Sequence, residues 1–326
     1  MLQHFRITGS ARCLPSKRIG SDELDARLGL RAGTTFARTG VRWRHEARAP
    51  ENAATMARHV IAGALASAGR TLRDLDLLID ASLCVQQPLP CNAALIQREL
   101  GADAAGIACV DVHASCLGFV AALQMANGLF AAGEARRIAI VCSETALRGV
   151  NWDEPESACL MGDGAAAFVL EATTPVHACV IALETFSEGA HLCQVEGGGH
   201  RLASFEYDAS QRARYQFHMD GRAVHKLASR LLPPLVGRVL REAGAALGEM
   251  DVVPHQASGP SLELIARRLG IAREKLHASI EEHGNLVAAS IPYVLHGARM
   301  ALPAGARVLL IGTAAGYSQA AAVITL

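Results

Sequence analysis

Short β-rich apolar runs alternate along this chain with alanine-rich stretches of helical period, and that alternation restricts it to an α/β architecture. Leu75 to Asp80, Ile107 to Val112 and Arg137 to Cys142 read as strands, with helical patterns at Ala93 to Leu100 and Val120 to Ala132. The later part repeats the style, with helices predicted over Ala223 to Ala243, Ser261 to Leu269 and Ala288 to Ala301, and strands over Asp251 to Pro254 and Arg307 to Ile311. The run Arg137 to Val141 followed by Ala165 to Leu170 is similar to Arg307 to Ile311 followed by Ala320 to Ile324, which points to a duplicated unit. Residues 185–220, with Gly197-Gly198-Gly199 and many polar side chains, read as a long connection or lid.

At 326 residues, 51% hydrophobic and 19% charged, the chain can bury a large core. Lys plus Arg balances Asp plus Glu at 31 each, so no bulk charge points to nucleic acid or to an acidic membrane surface. The N-terminus lacks a signal-peptide core, and no uninterrupted apolar stretch is expected to reach the roughly 18 residues of a membrane span, so a cytoplasmic protein is expected. The nine cysteines form no CxxC pair and read as reduced thiols, with no metal site expected.

Cys116 lies in Val112-His113-Ala114-Ser115-Cys116-Leu117-Gly118-Phe119, where an apolar run meets a helical pattern. A strand-to-helix junction lifts a side chain clear of the sheet and aims free N–H groups and the positive end of the helix dipole at it, which favours the reactive thiolate. The alternative is an inert core thiol, the usual fate of a free cysteine. A reactive thiol needs partners. In Val252-Val253-Pro254-His255-Gln256-Ala257 the proline ends ladder pairing and turns His255 out of the strand. Asn285, in His283-Gly284-Asn285, is either an N-cap of the helical run that follows it or an amide donor in a site.

Five ordered segments carry a resemblance along nearly the whole chain: Ala37-Arg38-Thr39-Gly40-Val41-Arg42, the Cys116 segment, Met161-Gly162-Asp163-Gly164-Ala165, Pro254-His255-Gln256-Ala257, and His283-Gly284-Asn285 with Ala288-Ala289-Ser290-Ile291-Pro292. Together they resemble the β-ketoacyl-acyl-carrier-protein synthase III branch of the thiolase-fold condensing enzymes. The resemblance implies two similar βα halves, 1–172 and 173–326, packed as a five-layer αβαβα structure. It implies a Cys-His-Asn triad of Cys116, His255 and Asn285, acylation of Cys116 by an acyl-coenzyme A or acyl-carrier-protein donor, and decarboxylative condensation with a malonyl- or β-ketoacyl-type thioester. It implies an oxyanion hole of the Cys116 N–H and a second N–H from Thr313-Ala314-Ala315-Gly316-Tyr317-Ser318, with Gly316 the best match. Coenzyme A or phosphopantetheine thioesters enter as substrates, no cofactor is implied, and the expected partners are an acyl carrier protein and a second copy in a homodimer.

The chain departs from that pattern where relatives clamp adenine. Counting from the shared motifs, Thr34 replaces a Trp and Pro155 replaces an Arg, with Trp152 close enough in sequence to restore part of the stack. Arg38 and Thr34 are expected at the pocket entrance, and Leu89, in a loop that reaches a partner's acyl pocket in relatives, stands where a large aromatic often sits. Lys226, Arg267 and Arg268 match basic residues that receive the carrier protein, with solvated helix faces as the alternative, and Pro260 replaces a further Arg. An acyltransferase of the same fold, passing the acyl group to oxygen or nitrogen, shares the triad. A papain-like protease has the same residue order but a different local cysteine signature, and a non-catalytic partner subunit commonly lacks the nucleophile. Thr313 and Ser318 stand in a loop where thiolases carry a second cysteine.

Overall fold

The computed structural model describes residues 2–175 and 177–326. Two large sheets form, one from each part of the chain, beside two two-stranded ones, Lys17–Gly20 with Trp43–Glu46 and Cys193–Gln194 with His218–Met219. The first has five strands in the order Phe5–Cys13, Gly164–Ala172, Arg137–Glu144, Leu77–Asp80, Ala108–Asp111. The second has four, in the order Val180–Thr185, Ser318–Thr325, Arg307–Ala314, Asp251–Pro254. From the outer strand inward, both sheets pair antiparallel, antiparallel, then parallel. The strand pairs whose sequences look alike occupy equivalent places.

Side-chain alternation explains the layering. Along Arg137–Glu144, Ile138, Ile140 and Cys142 enter the central core, while Ala139 and Val141 enter an outer core with the helix Ala53–Ala68. Along Arg307–Ala314, Val308 and Leu310 join the same central core, while Leu309 and Ile311 pack in a second outer core with the helix Gly221–Glu242. The central core is filled by Gly118–Ala132 and Ser290–Ala301 between the sheets. Strands buried on both faces read as continuous apolar runs, which is why they were visible in the sequence.

Ser115–Ala132 is 18 residues long and apolar enough to cross a membrane by length and composition, with Ser115, Gln124 and Asn127 interrupting its apolar run. Half of this segment is buried inside the protein as the middle layer, and core packing accounts for its apolar character. All nine cysteines are unpaired.

The middle helix sits very close to the strand beside it. A Cβ added at Gly118 would lie 2.1 Å from the Ala81 carbonyl oxygen, so backbone must move to admit one. Gly118→Ala is expected to cost about 2–3 kcal/mol in urea unfolding through overpacking alone. An unchanged midpoint would show that this contact does not set the helix position.

Candidate active site

Cys116 occupies a tight turn, Ser115–Leu117, between the strand Ala108–Asp111 and the helix Gly118–Ala132. Ser115 adopts φ +48, a left-handed conformation costly for a side-chain-bearing residue, and it turns Cys116 into a cavity of about 1120 Å³. His255 and Asn285 line the same cavity, with Thr313, Ala314 and Ala315. The structure thus gathers residues from four separate segments.

The backbone N–H groups of Cys116 and Ala315 lie toward the sulfur and act to lower its pKa. Burial acts in the opposite direction and is the largest effect, so the thiol is pushed well above its ordinary range. The sequence expectation of a resting thiolate is therefore corrected: desolvation outweighs the helix end. In the C-terminal loop Ala315 lies toward the sulfur and lines the cavity, whereas Gly316 is absent from the cavity wall and turns the chain with φ +73.

His255 follows the strand Asp251–Pro254, with its N–H donating to the Ile311 carbonyl at 2.8 Å. Its ring is buried, Nδ1 has no hydrogen-bond partner, and burial lowers its pKa to about 4. Gly312 leaves room for it, since an added Cβ there would lie 2.8 Å from the His255 Cβ. The neutral ring is the stable form in the fold. Because the unfolded chain binds this proton near pH 6.5, His255 subtracts stability as pH falls from about 6.5 toward about 4. A ring-proton NMR titration should show a midpoint well below 6; a midpoint near 6.5 would contradict the buried setting.

Asn285 does not cap a helix, as one of the two sequence readings had it. The helix Ser290–Ala301 has Ala289 at its N-cap, and the turn Val287–Ala289 has Leu286. The Asn285 Oδ1 accepts from the Val287 N–H at 2.9 Å and from the Ser290 hydroxyl at 3.4 Å. The amide is thereby oriented with Nδ2 as its donor end, 3.5 Å from the Ala257 carbonyl.

The shared motifs hold this arrangement together, a role that motif matching did not reveal. Asn285 N–H donates to the Leu160 carbonyl at 2.8 Å, and Gly162 N–H donates to the Asn285 carbonyl at 3.0 Å. An added Cβ at Gly162 would meet the His283 carbonyl at 2.3 Å, so only glycine permits that approach. Asp163 accepts from the N–H groups of Ala47 and Leu147, and the Gln256 Oε1 accepts from those of Ser279 and Ile280, tying the His255 loop to the turn before Asn285. Glu144, missed in the sequence reading, ends the strand Arg137–Glu144 and accepts from the N–H groups of Leu83 and Cys84, two cavity-lining residues. Its burial raises its pKa to about 7.

Of the expected entrance residues, Thr34 and Arg38 line the cavity, as do Pro155 and Pro260. Trp152 does not line it: the residue packs between a cluster that includes Val150 and Ala158 and one formed by Ile19, Leu24 and Cys159, with the Arg27 guanidinium 4.4 Å above its ring. It gives no stacking face to the cavity. Leu89 lies outside as well and is 81% exposed. Lys226 is exposed on the helix Gly221–Glu242, and Arg267 and Arg268 are exposed on the helix Gly259–Leu269 packed beside it. The expected lid contributes Cys193, Val195, Gly197 and Gly198 to the cavity wall.

Residues 110–189 match the family described as 3-Oxoacyl-[acyl-carrier-protein (ACP)] synthase III, and residues 240–326 match its C-terminal domain. A beta-ketoacyl-[acyl-carrier-protein] synthase III from Neisseria gonorrhoeae is 32% identical over 326 residues, covering 99% of each chain. Among solved structures, a 3-oxoacyl-[acyl-carrier-protein] synthase III from Aquifex aeolicus is similar with a TM-score of 0.88 at 27% identity, covering 99% of this chain and 100% of that one. The priming beta-ketosynthase of a polyketide biosynthetic pathway is similar with a TM-score of 0.91 at 26% identity, covering 100% and 97%.

Proposed function

This chain belongs to the 3-oxoacyl-[acyl-carrier-protein] synthase III family of acyl-thioester condensing enzymes, and on that premise we propose that Cys116, His255 and Asn285 divide its chemistry into two half-reactions. The enzyme is a condensing transferase of fatty-acid or polyketide-like metabolism. What carries the residue assignment is the cavity itself, where two N–H groups converge on one sulfur beside a neutral imidazole and an oriented amide.

In the first half-reaction the Cys116 sulfur attacks the donor's thioester carbonyl. The oxygen of the tetrahedral intermediate is held by the N–H groups of Cys116 and Ala315, and the donor's thiol leaves with the proton that Cys116 gives up. In the second, a malonyl-type thioester loses carbon dioxide. Its enolate oxygen accepts hydrogen bonds from His255 and Asn285, its carbon attacks the acyl carbonyl, and Cys116 leaves as thiolate and is reprotonated. A neutral donor suits this step: burial holds His255 unprotonated, so it binds the enolate without quenching it.

The same reading divides the molecule into halves 1–172 and 173–326, with the thiol supplied by one and the imidazole and amide by the other. Lys226, Arg267 and Arg268 offer exposed positive charge to an acidic carrier protein. Exposed Leu89 suits contact with a second copy of the chain, as in a homodimer, and the expected setting is cytoplasmic.

Thr34 and Pro155 on the cavity wall supply neither an aromatic face nor a cation for adenine. A carrier-bound acyl group is therefore expected to acylate Cys116 at least about tenfold more efficiently than the same group on coenzyme A, the loss corresponding to about one stacked or charged contact. Intact-protein mass spectrometry over a panel of both donor types checks this. Ready acylation by a short acyl-coenzyme A at low micromolar concentration would contradict the carrier preference while leaving the acyl-enzyme intact.

A further inference from the structure

The cavity wall carries a second polar cluster apart from the three residues above. His225, on the helix Gly221–Glu242, lines the cavity together with Ser258 and Ser261. The Ser258 hydroxyl donates to the Ser261 oxygen at 2.8 Å, and that oxygen lies 3.4 Å from His225 Nδ1. Ser258 is fixed independently, because it caps the helix Gly259–Leu269 by accepting from the Ser261 N–H at 3.2 Å.

These contacts leave Nε2 as the ring nitrogen available to another partner. The Ser258 proton is directed at Ser261, so the Ser261 proton is available to His225 Nδ1, 3.4 Å away. In that arrangement the ring carries a proton on Nε2. The surrounding wall combines apolar Ala228, Leu264 and Ile265 with Arg222 and Ser229. The cluster sits one residue along from Ala257, whose carbonyl lies against the Asn285 amide. An imidazole N–H donor on this wall suits a carbonyl oxygen.

We propose that His225, held as the Nε2–H tautomer by Ser261 and Ser258, is a specificity-determining residue that donates a hydrogen bond to an amide carbonyl in the arm of the thioester substrate. The proposal rests on the acyl-enzyme reading above. It makes the amide, and not only the acyl chain, part of what the cavity selects.

The test compares two probes, the hexanoyl thioester of N-acetylcysteamine, which has one amide, and S-pentyl hexanethioate, which has none. Acylation of Cys116 is followed by intact mass in the parent and in His225→Phe, which keeps a ring and removes the donor. The amide thioester should acylate the variant about 5- to 10-fold less efficiently, through a raised half-saturation concentration at unchanged maximal rate, while the alkyl thioester is unaffected. Ser261→Ala, which frees the tautomer, should give a smaller loss in the same direction. An unchanged ratio between probes in His225→Phe overturns this proposal alone. Failure of both probes to acylate the parent overturns the acyl-enzyme reading with it.

Discussion

Cys116→Ala is expected to gain no mass from any acyl thioester and to lose condensing activity by roughly 10⁴-fold or more, the scale seen when a covalent nucleophile is removed. The size of the effect follows from the geometry. The sulfur is the one reacting group toward which both the Cys116 and Ala315 N–H groups point, so alanine leaves the oxyanion donors in place with nothing to attack the carbonyl. The substitution removes one sulfur from a cavity wall and leaves the Ser115–Leu117 turn intact, so the fold should be retained. An adduct that persists in the variant would move the nucleophile elsewhere, with Cys84, Cys159 and Cys193 on the same cavity wall as the first places to look. Burial raises the pKa of each of these thiols, Cys193 to about 12, as it does that of Cys116, so thiol acidity does not separate them.

His255→Ala and Asn285→Ala are expected to separate the two half-reactions. Each should still form the acyl adduct, because neither residue supplies a donor to the tetrahedral oxygen, yet each should slow decarboxylation by roughly 10²- to 10³-fold, the usual cost of one lost oxyanion donor. The double variant should lose less than the product of the two single effects, since both donors serve one oxygen. Asn285→Ala carries a second consequence: the Val287 N–H and Ser290 hydroxyl lose the acceptor that orders their turn, at φ +51 for Val287. Asn285→Asp keeps that acceptor and removes the amide donor, so it isolates the chemical effect. Loss of acylation in either alanine variant, with decarboxylation retained, would reverse the proposed roles.

Much of the fold was legible because its core strands are buried on both faces. Arg137–Glu144 and Arg307–Ala314 read as uninterrupted apolar runs, and their similarity to each other reflects equivalent places in two sheets with the same order of pairing. The edge strands Phe5–Cys13 and Val180–Thr185 were not legible. Phe5–Cys13 mixes charged and small residues, and its register shifts between Ile7 and Gly9, where the helix Ala53–Ala68 comes so close that an added Cβ would meet the Ala64 carbonyl at 2.1 Å. No periodicity rule anticipates a strand shaped by a neighbour's backbone.

The candidate site shows a similar division. That Cys116, His255 and Asn285 stand in one cavity could be anticipated from ordered motifs, but the state of each group could not. Helix-end reasoning favoured a thiolate at Cys116, and burial overrides it. Counting along the C-terminal loop chose Gly316, while the fold of the loop presents Ala315. Trp152 was near the entrance in sequence and lies under Arg27 in space. Motif positions identify residue types; desolvation and loop rotation decide what those residues can do.

A single-turnover reaction tests the account most directly. Protein acylated on Cys116 is mixed with a malonyl thioester, and released carbon dioxide is measured beside the mass of the protein. The account predicts one carbon dioxide for each acyl group that leaves Cys116, with the acyl group recovered in a β-ketoacyl product. Loss of the acyl group without carbon dioxide, or carbon dioxide released at an undiminished rate from Cys116→Ala without a β-ketoacyl product, would contradict it.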